Sequence, residues 1–292
     1  MFLFIKKNKV KKKFVLSKKY KGIGVFLMNN LKLIASGKTA DVFKYKSNQI
    51  VKLFRKGFPK SSIKKEYKIS QYAYSLGIQT PCPLELIRID DRLGIIFEEI
   101  TAPSLLSSIA AKSWWTKRKL KRAAKLQFEI HQYAAVKPCS SQKEVLAAKI
   151  NSVTLLQPQE KEKILMHLKN LPSENKLCHG DFHFDNILCG DQMWVIDWMD
   201  ATTGNPAGDL ARSNLLLTFG TVPKDMPVFI KTAINFFRTK LKNIYLEHYL
   251  KLSSLDYAMI EKWMLPVAAA RLSEELVEDE KEQLLEFIKQ KI

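Results

Sequence analysis

The chain has 292 residues, of which 46% are hydrophobic and 26% charged, values typical of a globular protein rather than a disordered or fibrous one. This length allows one bilobal unit or two ordinary domains. The formal net charge is +19, but residues 1–27 carry nine lysines and no acidic residue, and subtracting those nine leaves +10. The charge of the remaining body therefore does not by itself indicate nucleic-acid binding.

Residues 1–27 form a basic extension, which we predict to be disordered because its lysine-rich composition shows little hydrophobic periodicity. The extension ends just before Met28, and another interpretation of residues 1–27 is that translation starts at Met28. A second interpretation is an arm that binds nucleic acid or an anionic membrane. We expect the body of the protein not to bind nucleic acid.

The apolar and cysteine residues predict a cytoplasmic protein without a membrane span. No run approaches the roughly 18 apolar residues that cross a bilayer. The apolar start at residues 1–5 precedes the lysines, the reverse of the order in a secretory signal. The four cysteines form no CxxC pair, which favours a reducing compartment over a disulfide framework or a zinc site.

Residues 31–54 predict three strands joined by two turns. The first turn contains Ser36, Gly37 and Thr39, whose backbone amides and small hydroxyl groups are suited to folding over phosphates. The triplet Gly37-Lys38-Thr39 does not complete a P-loop, because that motif needs a glycine at position 32, where the chain has lysine.

Lys52 lies among apolar residues in the third predicted strand, where an unpaired ammonium group is costly. The segment from Ser61 to Leu76 has apolar residues at helical spacing and ends at Gly77. Glu66 is the only acidic residue in that helix, so we predict that it pairs with Lys52.

Further strands are predicted over 84–89 and 94–100, which completes a five-stranded antiparallel sheet with one helix. Helices follow over 113–136, capped by Ser113, over 142–170, over 210–217, started by Asp209, and from Pro227 to the end. We therefore predict an α+β protein with a lobe at 28–100 and a larger, mainly helical lobe at 101–292.

The central motif is His179-Gly180-Asp181-Phe182-His183-Phe184-Asp185-Asn186, followed by Asp197 in a predicted buried strand over 193–198. Two carboxylates and one amide oxygen on adjacent loops are what a magnesium-dependent phosphoryl transfer needs. One group orients the attacking hydroxyl, and two oxygen ligands hold the metal against the nucleotide phosphates.

The string HGDFHFDNIL, followed by VIDW and DLAR, resembles the aminoglycoside phosphotransferase and choline kinase family, which has a bilobal protein-kinase-like fold. The resemblance covers residues 31–220 and implies ATP and Mg²⁺ as cofactors. It implies that Asp181 is the catalytic carboxylate, that Asn186 and Asp197 bind magnesium, and that His179 and Asp209 brace the loop. The nucleotide-binding residues it implies are Lys52, Glu66, Ser36, Gly37, Thr39, Val42 and Glu99.

Three other functions compete with a small-molecule kinase. A zinc hydrolase could use His179 and His183, but the HExxH glutamate is missing. A pseudokinase or an RNA-binding module is the main alternative, although the five polar groups of phosphoryl transfer are present. A protein kinase is the third alternative, but this chain has little room for an activation loop between Asp197 and Asp209.

The acceptor is left open among an aminoglycoside-like antibiotic, an amino alcohol such as choline, and a sugar. Acidic residues near the C-terminus could hold a polyamine, but we interpret Glu274 to Glu280 as a solvated helix face. The surplus positive charge disfavours a polycationic acceptor, because long-range repulsion slows its approach.

Overall fold

The computed structural model describes residues 31–111, 115–135, 138–219 and 228–292. The basic extension of residues 1–27 lies outside these ranges, as do the Ser113 cap and the predicted helix start at Pro227. Among the described residues, no helix has the combined length and apolar character needed to cross a bilayer.

The first part of the chain forms the predicted five-stranded antiparallel sheet, in the order β1-β2-β3-β5-β4. Its strands are β1 (Lys32–Ser36), β2 (Ala40–Lys44), β3 (Gln49–Phe54), β4 (Pro83–Ile89) and β5 (Arg92–Glu98). One helix, α1 (Lys60–Ser75), connects β3 to β4. Ile63 of α1 packs in a small core with the sheet, whereas Ile69 and Ala73 belong to the large core of the helical part. Helix α1 therefore joins the two parts.

The rest of the described chain is mainly helical, as predicted. Its helices are α2 (Leu105–Ala110), α3 (Thr116–Ile130), α4 (Gln142–Ser152), α5 (Pro158–Asn170), α6 (Pro206–Phe219), α7 (Val228–Leu252), α8 (Tyr257–Arg271) and α9 (Glu278–Lys291). Short strands lie between them: β6 (Ser140–Ser141), β7 (Lys176–Cys178), β8 (Ile187–Cys189), β9 (Met193–Val195) and β10 (Thr202–Gly204). Trp198, Trp263 and Tyr245 are among the largest fully buried side chains of this part, which has one extensive apolar core.

Two predicted elements end early for identifiable reasons. Helix α3 stops at Ile130 rather than at residue 136, because residues 133–135 bond instead to β7 and the residue before it: Ala135 N donates to Asn175 O and Leu177 N donates to Tyr133 O. Strand β9 stops at Val195, and Asp197 has φ +67°, a left-handed conformation that no strand accommodates. Asp197 therefore lies on a turn beyond the strand.

The predicted solvated acidic face near the C-terminus is confirmed for Glu275 and Glu278, which are exposed, and is wrong for Glu274 and Glu280. Glu274 lies before α9 and is bonded to Arg212 and Arg271, while Glu280 is buried and bonded to Arg271. These acids face arginines that are distant in sequence or on the preceding helix, a pairing that local charge patterns do not reveal.

Candidate active site

The motif of residues 179–186 forms the loop between β7 and β8, and its last three residues make a 3₁₀ turn. Gly180 has φ +78°, and a Cβ atom at this position would lie 2.2 Å from the carbonyl oxygen of Asp200. Glycine is required here both by the backbone conformation and by this close approach. The loop of residues 179–186 is therefore fixed against the turn that follows Asp197.

Asp209, in the first turn of α6, braces the loop. Its carboxylate accepts from the amides of His179, at 3.1 Å, and Gly180, at 2.6 Å, and it lies 2.9 Å from His131 Nε2. Burial raises the pKa of Asp209, but His131 and the Gly180 amide outweigh burial and hold that pKa below its usual range. The expectation that Asp209 starts the helix is wrong, since α6 already begins at Pro206.

Asp181 is held by three side chains. Arg212 donates to its Oδ1 at 3.2 Å, Asn186 Nδ2 donates to its Oδ2 at 3.1 Å, and His183 Nε2 lies 3.4 Å from Oδ2. Burial raises the pKa of Asp181, but His183 and Arg212 outweigh burial and hold that pKa well below its usual range. The carboxylate is therefore ionised and oriented, which suits it to accept a hydrogen bond from a hydroxyl group.

His179 is positioned as a structural residue. Its Nδ1 accepts from Asp181 N at 3.2 Å, which assigns the proton to Nε2, 3.1 Å from Ile196 O. Burial lowers the pKa of His179 and keeps the ring neutral. Both nitrogens are used within the loop, so His179 and His183 do not form the ligand pair that the zinc alternative requires.

Lys52 connects the sheet, α1 and the turn at Asp197. Its Nζ lies 2.7 Å from Glu66 Oε1 and 3.0 Å from Asp197 Oδ1, so the predicted partner is present and a second one joins it. Burial lowers the pKa of Lys52, but Asp197 and Glu66 outweigh burial and hold it above its ordinary value. A permanently charged ammonium group thus lies between the sheet, α1 and the turn at Asp197.

Asn186 and Asp197 flank the β8–β9 hairpin, and the bond from Ile196 N to Asn186 O, 3.0 Å long, holds their two segments together. Asn186 donates through Nδ2 to Asp181, which leaves its Oδ1 to face a ligand. The Asp197 side chain is 38% exposed, so its carboxylate is accessible. An amide oxygen and a carboxylate oxygen form a donor set that fits Mg²⁺.

The predicted phosphate loop is the β1–β2 turn. Gly37 N donates to Ala40 O at 2.8 Å, Ser36 Oγ donates to Asp41 at 2.7 Å, and Thr39 O accepts from Arg55 N at 2.9 Å. Arg55, which the sequence did not single out, also donates to Gly37 O at 2.8 Å. Arg55 therefore shapes the turn and adds a positive charge beside it.

Val42 and Glu99 complete the set of residues predicted to bind nucleotide, with Val42 in β2 and Glu99 just beyond the end of β5. Val42 lies directly opposite Lys52 in the β2–β3 register, so the two side chains share one face of the sheet. Glu99 follows β5, its carboxylate pairs with Lys44, and its amide donates to Asn48 O at 2.9 Å. The Glu99 amide is therefore already used within the chain, and a nucleotide base bound at this edge would have to use other backbone groups of residues 98–100.

Sequence reasoning missed the cations around Asp181. Arg212 joins Asp181 to Glu274, whose contacts extend to Lys149 and Arg271. The DLAR string contained the only available signal, an arginine one helical turn after Asp209. Lys149 on α4 carries no local signal, because only the tertiary fold brings α4 beside α8.

A known family and two curated proteins match part of this chain. The family described as phosphotransferase enzyme family (APH) matches residues 30–225. Human acyl-CoA dehydrogenase family member 11 is 26% identical over 191 residues, which cover 57% of this chain and 24% of that protein, and the Pongo abelii protein of the same name is 25% identical. The chain thus spans about a quarter of the length of these curated relatives.

Similar solved structures show a protein-kinase-like fold. An aminoglycoside-3'-phosphotransferase of type VIII has a TM-score of 0.57 at 16% identity, covering 82% of this chain and 93% of that one. The streptomycin–ATP complex of APH(2")-IIa has a TM-score of 0.56 at 15% identity, with 90% and 91% covered. A choline/ethanolamine kinase family protein from Mesorhizobium loti has a TM-score of 0.55 at 14% identity, with 91% and 88% covered.

Proposed function

This chain belongs to the phosphotransferase enzyme family, and we propose that it transfers the γ-phosphate of ATP, bound with Mg²⁺, to a hydroxyl group of a small molecule. The observation that carries the proposal is the pair of ion contacts made by Lys52, to Glu66 at 2.7 Å and to Asp197 at 3.0 Å. These contacts join the sheet to α1 and to the turn at Asp197, against which the loop of Asp181 packs through Gly180, and this is the coupling that a phosphoryl-transfer site requires.

In the proposed reaction Asp181 accepts a hydrogen bond from the acceptor hydroxyl and aims its oxygen at the γ-phosphorus. The new bond forms between that oxygen and phosphorus, the bond from phosphorus to the β–γ bridging oxygen breaks, and ADP leaves with the bond's electrons. The hydroxyl proton passes to Asp181 and then to solvent. Because its lowered pKa makes Asp181 a weak base, orientation is its main contribution.

Lys52 would bind the nucleotide phosphates, with Glu66 holding the ammonium group in place. Asn186 and Asp197 would hold Mg²⁺, which supplies charge neutralisation to the phosphates when it is bound. Ser36, Gly37 and Thr39 would lie over the phosphates, with Val42 against the base. This allocation divides the protein into a nucleotide-binding part, residues 28–100, and a catalytic part, residues 101–292.

The acceptor candidates are a hydroxylated antibiotic, an amino alcohol and a sugar. Two of the similar structures are complexes of APH(2")-IIa, one with streptomycin and one with gentamicin. A cytoplasmic location belongs to the same proposal and is supported by the four free cysteines.

Titration calorimetry of the full chain with ATP, with and without Mg²⁺, tests the proposal. We expect wild-type protein to bind ATP in a magnesium-dependent way, and Asp197→Asn to lose most of that dependence. The exposed Asp91→Asn serves as the matched control. A screen of hydroxyl-bearing acceptors with labelled ATP then identifies the product. Wild-type protein that binds no nucleotide in the presence of Mg²⁺ would refute the proposal.

A further inference from the structure

A pocket lies between α4, α6, α8 and the loop of residues 179–186, and it is lined by Gly180, which precedes Asp181, and by Arg212, which donates to Asp181. Its cavity volume is about 50 Å³, and it is open to solvent. The charged side chains of its wall are Lys149, Arg212, Arg271, Asp200, Asp209 and Glu274. An acceptor that presents its hydroxyl to Asp181 would lie near this wall, so these charges bear on which acceptors bind.

The carboxylate of Glu274 is already engaged, whereas that of Asp200 has a single long contact. Glu274 lies 2.9 Å from both Arg212 and Arg271 and 3.5 Å from Lys149, and Asp200 lies 3.5 Å from Lys149. Burial raises the pKa of Glu274, but Arg212 and Lys149 outweigh burial and hold it below its usual range.

Two further carboxylates approach this wall and are also engaged. Glu280 bonds Arg271 from behind, and Asp209, which also lines the pocket, is used by loop amides and His131. Among the described residues of the wall, the carboxylate that remains available to a ligand ammonium group is that of Asp200, which is 44% exposed and 3.5 Å from Lys149. A polyamine needs several such carboxylates, and to reach Glu274 it must displace a buried guanidinium.

The cations of the wall retain unused donors. Both contacts of Lys149 are 3.5 Å long, beyond the usual 2.7–3.2 Å of a good N–H···O bond, and its side chain is 32% exposed. The Nε atom of Arg212 is buried without a hydrogen-bond partner. A ligand oxygen with negative charge can satisfy Lys149 without breaking any bond at 2.9 Å. The net charge of +19 also draws anions toward the protein.

We propose that the acceptor carries an acidic group, a carboxylate or a phosphate, beside its reactive hydroxyl, and that Lys149 receives this group. This inference rests on the proposed function, in which the hydroxyl oxygen forms the bond to the γ-phosphorus and ADP leaves. It specifies a phosphorylated or carboxylated sugar or polyol and excludes a polyamine such as an aminoglycoside. Lys149 is thereby a specificity-determining residue.

Thermal melting of the full chain with ADP and Mg²⁺ tests this with ligands that share one ring and differ in charge: glucuronate, glucose 6-phosphate, glucose and glucosamine, with kanamycin added as a polyamine. We expect at least one acid to raise the melting temperature, and the acid with the larger effect identifies the group as carboxylate or phosphate. Lys149→Gln should raise the half-saturating concentration of that acid by about tenfold, the effect of one charge-assisted hydrogen bond. The exposed Lys163→Gln on α5 is the matched control.

Three results would overturn the inference: a larger shift with glucosamine or kanamycin, an acid effect unchanged in Lys149→Gln, or no shift with either acid. Melting with ATP and Mg²⁺ alone separates this from the proposed function. If ATP and Mg²⁺ produce no shift in wild type, the proposed function fails. If ATP and Mg²⁺ raise the melting temperature of both wild type and Lys149→Gln, the variant is folded and binds nucleotide. A larger shift with glucosamine or kanamycin than with the acids then refutes only the acidic acceptor.

Discussion

Replacing Gly180 by alanine is the sharpest test of how the catalytic loop is built. The new Cβ atom would lie 2.2 Å from the carbonyl oxygen of Asp200, and the residue would have to keep φ +78°. Contacts below 3.0 Å do not occur between real Cβ atoms and backbone oxygens, so the loop must move by about 1 Å. The same shift displaces Asp181, the next residue along the chain.

The expected loss of unfolding free energy in Gly180→Ala has two parts. The left-handed conformation costs a residue with a Cβ atom about 1–2 kcal/mol, and overpacking adds about 1–3 kcal/mol. Gly180→Ala should therefore lower the free energy of unfolding by about 2–5 kcal/mol. Gly57 is the matched control, because it has φ +87° but no atom within 4 Å of the place that a Cβ atom would occupy, so Gly57→Ala should cost only about 1–2 kcal/mol.

Urea unfolding of both variants measures these values, and phosphate transfer gives an independent readout. A displacement of about 1 Å in a catalytic group lowers the rate by about 100-fold, so Gly180→Ala should lose transfer while Gly57→Ala keeps it. Equal stability losses and equal transfer rates in the two variants would refute the close packing of the loop against residue 200.

Three further outcomes follow from the buried charges. Asp209→Asn should lower the free energy of unfolding by about 3–5 kcal/mol at pH 7, because it breaks a buried charged network. Since the pKa of Asp209 is lowered in the folded state, its contribution to stability is present above its unfolded pKa of about 3.9 and is lost as the pH falls through the lower folded value. The difference in unfolding free energy between wild type and Asp209→Asn, measured in urea, should therefore shrink in acid. Lys52→Met should weaken ATP binding measured by calorimetry by at least about tenfold, whereas Lys56→Met, which removes an exposed lysine just after β3, should not. Unchanged stability, a pH-independent difference, or equal affinities in the two lysine variants would contradict these expectations.

Much of the fold was predictable because it depends on local patterns. Alternating apolar residues and turns located the five strands, and the single acid of α1 identified Glu66 as the partner of Lys52, a pair that the structure shows at 2.7 Å. The roles of the site residues in binding nucleotide and metal stay predictions. Asp197 was placed in a strand because apolar residues surround it, but β9 ends at Val195 and the left-handed φ of Asp197 places it on the turn beyond the strand.

The charged wall of the pocket beside the loop of residues 179–186 was not predictable, because it depends on pairs that only the tertiary fold brings together. Glu274 belongs to a charged stretch that looks solvated in sequence, yet it meets Arg212, which lies 62 residues earlier in the chain. Lys149 joins them from α4. Such pairs leave no periodic signal, so the sequence yielded the reaction class while the character of the acceptor pocket required the structure.

The central claim is that Asp181 orients the acceptor hydroxyl for phosphoryl transfer, and Asp181→Asn tests it most directly. With labelled ATP, Mg²⁺ and an acceptor from the screen, we expect transfer to fall by about 100-fold to 10,000-fold, while the dissociation constant for ATP changes little. The exposed Asp191→Asn should behave like wild type. Transfer by Asp181→Asn at the wild-type rate would contradict the claim.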